Sequence, residues 1–431
     1  MEPRPLQAAV DFGEAFRTWL KIGCLGFGGP AGQIAMMHRI LVDEKKWIDE
    51  PRYLHALNFC MLLPGPEAQK LATYSGWLLH GVRGGLAAGI LFVLPGALVM
   101  LAFSLLYVLG RGIPVVDGAL FGIKAAVLVI VVEALIRIGR RSLKSRLLMG
   151  LAGAAFVAIF FLDLPFPLIV ALAGLIGFFS TRRQASSSVQ AHPGRWRQAA
   201  TATLVGLVLW CSPVLLALLL LGKDHVFVDI GVFFSKLAVV SFGGAYALLA
   251  YMAQQAVENY GWMSAPEMVD GLGLAETLPG PLIKVTQFVG FLAAYRDHAP
   301  LNAIPSAILG SALTTWVTFV PPMLLIFAGA PFVEQLRSNQ RLSGALAAIT
   351  AAVVGVILNL TVWFALHVLF ARVAEARAGP LRWYGFDPLT IDLKVSALAL
   401  VAAVLAFVLH RGLVQLVLTM AALGIAVRLL L

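Results

Sequence analysis

The chain has 431 residues, of which 60% are hydrophobic and only 13% charged, with a formal net charge of +10. A soluble domain carries roughly 25% charged residues, so a water-soluble globular fold is excluded. The charge excess is that of a multi-pass protein whose Lys and Arg collect in loops beside the lipid bilayer, and it calls for no nucleic-acid partner.

The N-terminal M-E-P-R-P-L-Q lacks a signal-peptide n-region and cleavage site, so the first apolar segment is expected to be retained. In chain order, the apolar pattern predicts elements at about 12–42, 51–80, 84–109, 116–138, 146–162 and 166–180. A polar stretch, Arg182–Arg197, follows as a linker with Ser186, Ser187, Ser188, Pro193 and Gly194. One extra span is predicted at 199–221, then elements at about 230–258, 265–296, 303–330, 341–370, 390–409 and 412–431. Several reach the roughly 20 residues that a bilayer core requires. The fold class read from this is an all-α polytopic membrane protein of about 13 transmembrane segments.

Two stretches repeat. K-I-G-C-L-G-F-G-G-P at 21–30, W-I-D-E-P at 47–51 and L-P-G-P at 63–66 return as K-L-A-V-V-S-F-G-G-A at 236–245, W-M-S-A-P at 262–266 and L-P-G-P at 278–281, all offset by 215. Farther on, Pro95/Pro321, Gly118/Gly344 and Ala125/Ala351 keep an offset of 226. The organisation predicted is therefore an N-terminal repeat at 12–180, a linker with one extra helix at 181–226 and a C-terminal repeat at 227–431. Seven crossings separate the copies if every element crosses, and five if the two interrupted elements turn back as re-entrant hairpins. Both numbers are odd, so the repeats are expected to have inverted topology with broken or re-entrant helices. The Arg137–Arg146 loop and the linker are expected on the cytoplasmic side, which puts the N-terminus inside and the C-terminus outside. The Ala371–Arg382 loop, with Arg372, Arg377 and Arg382, then breaks the charge rule.

The interruptions carry the chemistry. Consecutive glycines free the backbone and proline removes a helix donor, while Pro30 suits the first turn of a following helix. Helix N-termini facing a shared cavity suit an anion, and paired Gly/Pro interruptions in two halves of an apolar chain point to a transporter's binding site. The candidate site residues are Lys21, Phe27, Gly28, Gly29, Pro30, Gln33, Pro64, Gly65, Pro66 and Gln69 in the first half. In the second they are Lys236, Phe242, Gly243, Gly244, Pro279, Gly280, Pro281, Lys284 and Gln287. Lys21 and Lys236 are expected to supply charge, the glutamines to donate hydrogen bonds. Lys70 and Lys124 are further cations in apolar surroundings; Lys70 and Lys284 could also snorkel to the interface. Glu133 aligns with Asn359, and is expected to pair with Lys124 or to carry protons.

Cys24, Cys60 and Cys211 show no pairing pattern, the eight His no metal spacing, and the chain no phosphate loop or catalytic triad. No metal, cofactor or catalytic residue is expected, and the chain is read as a non-enzyme. A membrane-embedded enzyme acting on an oxyanion and a passive anion channel stay open as rival readings.

F-G-G-P near the N-terminus, the W-I/W-M step and L-P-G-P, duplicated in order and spacing, resemble the chromate ion transporter family in its long two-domain form. The resemblance implies an inner-membrane protein with antiparallel halves that exports chromate and confers resistance. Ala245 stands where the first half has Pro30, a departure that bears on the second site's geometry. Sulfate shares chromate's charge and tetrahedral shape, so either oxyanion fits this reading, and so does a homodimer.

Overall fold

The computed structural model describes residues 10–27, 29–181, 194–241, 245–329 and 340–430. The chain is helical almost throughout, and six described helices are long and apolar enough to cross a membrane: Glu67–Leu109, Pro114–Ser142, Ala199–Leu221, Ala303–Gly329, Gln340–Leu369 and Leu413–Leu430. It is an all-α, multi-pass membrane protein. It divides into two compact units, one of Met1–Leu101, Arg183–Ser241 and Leu278–Gln340, the other of Ala102–Arg182, Phe242–Thr277 and Arg341–Leu431. Each unit therefore draws on both sequence repeats.

The first unit begins with α1, Phe12–Leu25, capped by the Asp11 side chain. The helix stops at Gly26, and α2 runs Gly29–His38, with Pro30 in its first turn and a π-helical turn at Arg39–Glu44. Glu14, at the start of α1, pairs with Lys45 at 2.6 Å just beyond that turn. The broken element thus goes out and comes back, a helical hairpin whose arms are α1 and α2. The second broken element comprises α3, Glu50–Leu62, and the first arm of α4, Glu67–Leu109. At the end of that arm His80 is bonded to the Val10 carbonyl at 2.7 Å and meets the Phe12 ring edge-on. Its ends therefore gather with those of the first hairpin, and its tip is L-P-G-P.

At His80 and Gly81 the backbone of α4 leaves helical geometry and the chain reverses. Gly76 and Gly84 then lie back to back, each against the other's carbonyl. The second copy matches: α12, Val285–Arg296, folds onto α13, Ala303–Gly329, through Gly290 and Gly310. His225, capping α9 (Val226–Val239), is bonded to the Ala299 carbonyl at 2.7 Å, the counterpart of His80 on Val10. Gly85 of α4 packs on Phe327 of α13, and Gly89 on Met323. Residue numbers rise on one helix as they fall on the other, so these two repeat-equivalent helices are antiparallel, as inverted topology requires. The extra span, α8, runs Gly194–Leu221 and packs on α9 and α13. It starts five residues before the expected 199, because R-W-R-Q-A continues the helix; the rest of the linker, 182–193, lies outside the described residues.

The second unit is built on α5, Pro114–Ser142. Its Gly118 and Gly122, four apart on one face, let the last helix approach closely through Gly424, Met420 and Ile425. α6 covers Arg146–Phe160 and α7 Phe166–Ser180. The remaining helices are α10, Ala245–Gln254, α11, Ala265–Thr277, α14, Gln340–Leu369, α15, Leu393–Ala403, and α16, Leu413–Leu430. Gly177 of α7 fits against Gly344, Ala345 and Ala348 of α14. The seventh helix of the first half thus holds the fourth long element of the second, and α16 holds α5 in return.

No strand is expected from the sequence, yet 373–378 and 381–386 form an antiparallel hairpin, β1 and β2, with Arg377 opposite Arg382. Like charges so placed would repel. Arg382, 2% exposed, is instead held by Asp163 at 2.9 Å and Glu258 at 3.3 Å. It also donates to the Ile159 and Phe160 carbonyls that end α6. Arg377 pairs with Asp163 and Glu375. Burial and the neighbouring Glu258 hold the Tyr384 phenol well above its usual range. These arginines are structural, a task independent of which side of the membrane they occupy.

Candidate transport site at the paired helix breaks

The four helix breaks are laid out in two reciprocal pairs. The Gly280 N–H donates to the Gly26 carbonyl at 2.9 Å, and the Gly65 N–H donates to the Ser241 carbonyl at 2.9 Å. Gly65 and Gly280 are equivalent in the repeat, as are Gly26 and Ser241. The glycine of each L-P-G-P therefore bonds to the residue just before the F-G-G of the other half. Both central glycines have left-handed backbone, φ +104° and +93°, which a side chain would strain. Packing repeats the exchange: Gly65 lies against Pro322 of α13, and Gly280 against Gly96 of α4, which also faces the Pro279 carbonyl. Pro322 and Gly96 are themselves equivalent.

Three buried glutamines tie these tips down. Gln33 Nε2 donates to the carbonyls of Gly26 at 2.9 Å and Gly280 at 2.7 Å, bridging one break pair. Gln69 donates to the Phe319 carbonyl at 3.0 Å, and Gln287 to the Ala97 carbonyl and Ser311 Oγ, both at 2.9 Å. The side-chain amides expected to meet a substrate thus donate to backbone carbonyls and, from Gln287, to Ser311. The Oε1 atoms of all three are buried with no partner in the structure. The equivalent of Gln33 in the second half is Leu248, so the bridge exists on one side only.

The lysines divide sharply. Lys21 and Lys236 are exposed on the outer arms of α1 and α9. Lys70 and Lys284 are 1% exposed, which excludes snorkelling. Lys70 Nζ donates to the Leu63 carbonyl. Lys284 Nζ donates to the carbonyls of Leu278 at 2.8 Å and of Pro279. Both ammonium groups therefore reach the leucine of L-P-G-P, where a broken helix ends in unpaired carbonyls that attract a cation. The two breaks differ in access: Leu63–Pro66 is half-buried, whereas Leu278–Pro281 is buried throughout. Among the other candidates, Phe27 is exposed and Gly29 and Pro30 half-buried. Gly28, Phe242, Gly243 and Gly244 lie outside the described residues.

Glu133 does not meet Lys124. It pairs with Arg137 at 3.8 Å, one turn along on its own helix, while Lys124 pairs with Asp270 of α11 at 3.2 Å. Asp270, 3% exposed, went unnoticed in the sequence because its repeat counterpart is His55 and its surroundings, E-M-V-D-G-L-G, read as an ordinary helix start. No cluster able to hold a metal ion occurs among the described residues.

No solved structure matches the chain. A chromate transport protein of Pseudomonas aeruginosa is 33% identical over 376 residues, 86% of this chain and 85% of that protein. A probable chromate transport protein of Synechococcus elongatus is 28% identical, covering 81% and 83%. A chromate transport protein of Cupriavidus metallidurans is 27% identical, covering 79% of each. The family model described as chromate transporter matches residues 13–178 and 228–427, one match in each half. The chain therefore belongs to the chromate transporter family.

Proposed function

We propose that this protein carries chromate, a divalent tetrahedral oxyanion, out of the cytoplasm across the inner membrane, and that it thereby confers chromate resistance. Family membership supports the substrate class. The observation that carries the reading is the pair of buried lysines, Lys70 and Lys284, folded onto the two L-P-G-P breaks. Ionisable groups within a bundle are costly and mark substrate pathways. Here two cations lie beside two helix N-termini, at Glu67 and Leu282, whose first N–H groups have no partner within the helix.

In this reading the anion is held at the paired breaks, Phe27–Pro30 with Pro279–Pro281 and Phe242–Gly244 with Pro64–Pro66. Lys70 and Lys284 exchange carbonyls for the oxyanion, and Lys21 and Lys236 form an outer pair that draws it in. Outward movement of a dianion from a negative interior is favoured by about 2.3 kcal/mol per charge per 100 mV. The unequal burial of the two L-P-G-P tips favours a carrier with one closed side over an open channel. Sulfate, of the same charge and shape, is the alternative substrate. In this reading the N-terminus lies in the cytoplasm and the C-terminus outside.

The test is flux of labelled chromate in proteoliposomes under an imposed potential. The reading expects saturable, potential-dependent chromate flux, competed by sulfate. A linear, unsaturable flux would support the channel, and no flux of either anion would overturn the assignment.

A further inference from the structure

The second unit contains a buried polar ladder that the anion site does not use. It begins at Arg111, whose side chain is 52% exposed, paired with Glu267 at 2.8 Å. Glu267 also accepts from the Ser264 N–H and hydroxyl, both at 2.8 Å, the return half of a capping box at the start of α11. One turn on is Asp270, with Oδ2 accepting from the Tyr107 hydroxyl at 2.9 Å and Oδ1 3.2 Å from Lys124 Nζ. Lys124 stands ten residues into α5, about 15 Å along the helix from its start. The ladder thus leads in steps from an exposed guanidinium to a buried carboxylate paired with a partly buried ammonium on an apolar helix.

We infer that Asp270 is a proton-binding carboxylate that couples anion movement to a pH gradient, with Lys124 as its counter-ion in the deprotonated state. The inference rests on the proposed transport function. A carboxylate inside a bundle is costly to keep charged, and its neutral form is the alternative state. On taking up a proton Asp270 becomes neutral, keeps its hydrogen bond with Tyr107 and leaves Lys124 without its counter-ion. Protonation therefore changes the forces on α11, whose chain continues directly into Leu278–Pro281, eight residues beyond Asp270. The groups acting on Asp270 are Lys124 from α5 and Tyr107 and Arg111 from α4 and the turn after it, while Glu267 on its own helix pairs with Arg111. The last helix, α16, which also packs on α11, has Arg428 as its one ionisable residue, placed against Gly118.

The experiment uses the full-length protein in proteoliposomes with the potential clamped at zero. Labelled chromate and sulfate are supplied at alkaline pH, where neither anion carries a proton. Wild-type protein should accumulate chromate when a pH gradient is imposed, by about tenfold per unit of gradient for each coupled proton, since one unit is about 1.4 kcal/mol. Asp270→Asn should abolish that accumulation but keep labelled-for-unlabelled chromate exchange, and Asp270→Glu should restore it. Accumulation retained in Asp270→Asn overturns the inference. Wild-type exchange without any response to the gradient overturns it too, while leaving the transport function standing; absence of exchange removes both. Should Asp270→Asn fail to assemble, proton uptake or release on chromate binding is followed in wild type with a pH indicator, and no proton exchanged overturns the inference.

Discussion

Replacing Gly96 with alanine sets two effects of opposite sign against each other. Gly96 lies inside α4, where alanine is preferred to glycine by about 1 kcal/mol on helix propensity alone. A Cβ at this position, however, would fall 2.3 Å from the Pro279 carbonyl oxygen, with Gly280 Cα at 3.5 Å. The clash is with backbone, so no side-chain rotation relieves it. Either α4 or the L-P-G-P tip must move, and overpacking of this kind costs about 1–3 kcal/mol. The tip is the softer partner, held at Gly280 by the bond to Gly26 and by Gln33, so those bonds lengthen first. Gly96→Ala should therefore lose up to about 2 kcal/mol net and lose chromate flux more completely than it loses stability. Gly153→Ala is the control: a Cβ there meets nothing within 4 Å, and the variant should be as stable as wild type or slightly more so. Thermal unfolding in detergent and flux in proteoliposomes are measured on both variants. A Gly96→Ala protein with wild-type stability and flux would refute the claimed packing of the two breaks.

Gln33→Leu introduces the residue that the second half already has at 248, so it should fit; losing two buried hydrogen bonds should cost about 1–3 kcal/mol, read as a lower unfolding temperature. Lys284→Met removes the cap on the Leu278 and Pro279 carbonyls and should cost about 2–6 kcal/mol, at about 1–3 kcal/mol for each buried carbonyl left unpaired. Arg382→Met leaves Glu258 without its cation and Asp163 with Arg377 alone, and should destabilise by about 3–5 kcal/mol in the same unfolding assay. Glu133→Gln, whose partner Arg137 is exposed on the same helix, should change stability by less than about 1 kcal/mol.

Much of this architecture could be read from glycine and proline spacing. F-G-G and L-P-G-P leave the chain no helical path, and their constant offset of 215 makes the two halves copies. The hairpin character of the first-half interrupted elements needed a contact distant in sequence, Glu14 with Lys45, that no local pattern encodes. Column-by-column equivalence also drew attention to Lys21 and Lys236, because they match in register. Lys70 and Lys284 do not: the register partner of Lys70 is Val285. A 3₁₀ turn at Leu282–Lys284 replaces the α-helical start found in the first half, and that change of phase lets both ammonium groups reach the same leucine carbonyl. The β-hairpin had a readable signal, a Gly379–Pro380 turn between two short stretches, overlooked because its flanks are rich in alanine and arginine. Asp270 had none, since its significance comes from Lys124 and Tyr107 on other helices.

The central claim is that the buried lysines at the L-P-G-P breaks, and not charge on the surface, bind the oxyanion. It is tested most directly by calorimetric titration of chromate into purified wild-type, Lys70→Gln, Lys284→Gln and Lys21→Gln proteins. Loss of a charge-assisted hydrogen bond, about 1.5–3 kcal/mol, should weaken binding by about tenfold to a hundredfold in each buried-lysine variant, with Lys21→Gln within about threefold of wild type because its charge is exposed. Wild-type affinity in both Lys70→Gln and Lys284→Gln would contradict the account.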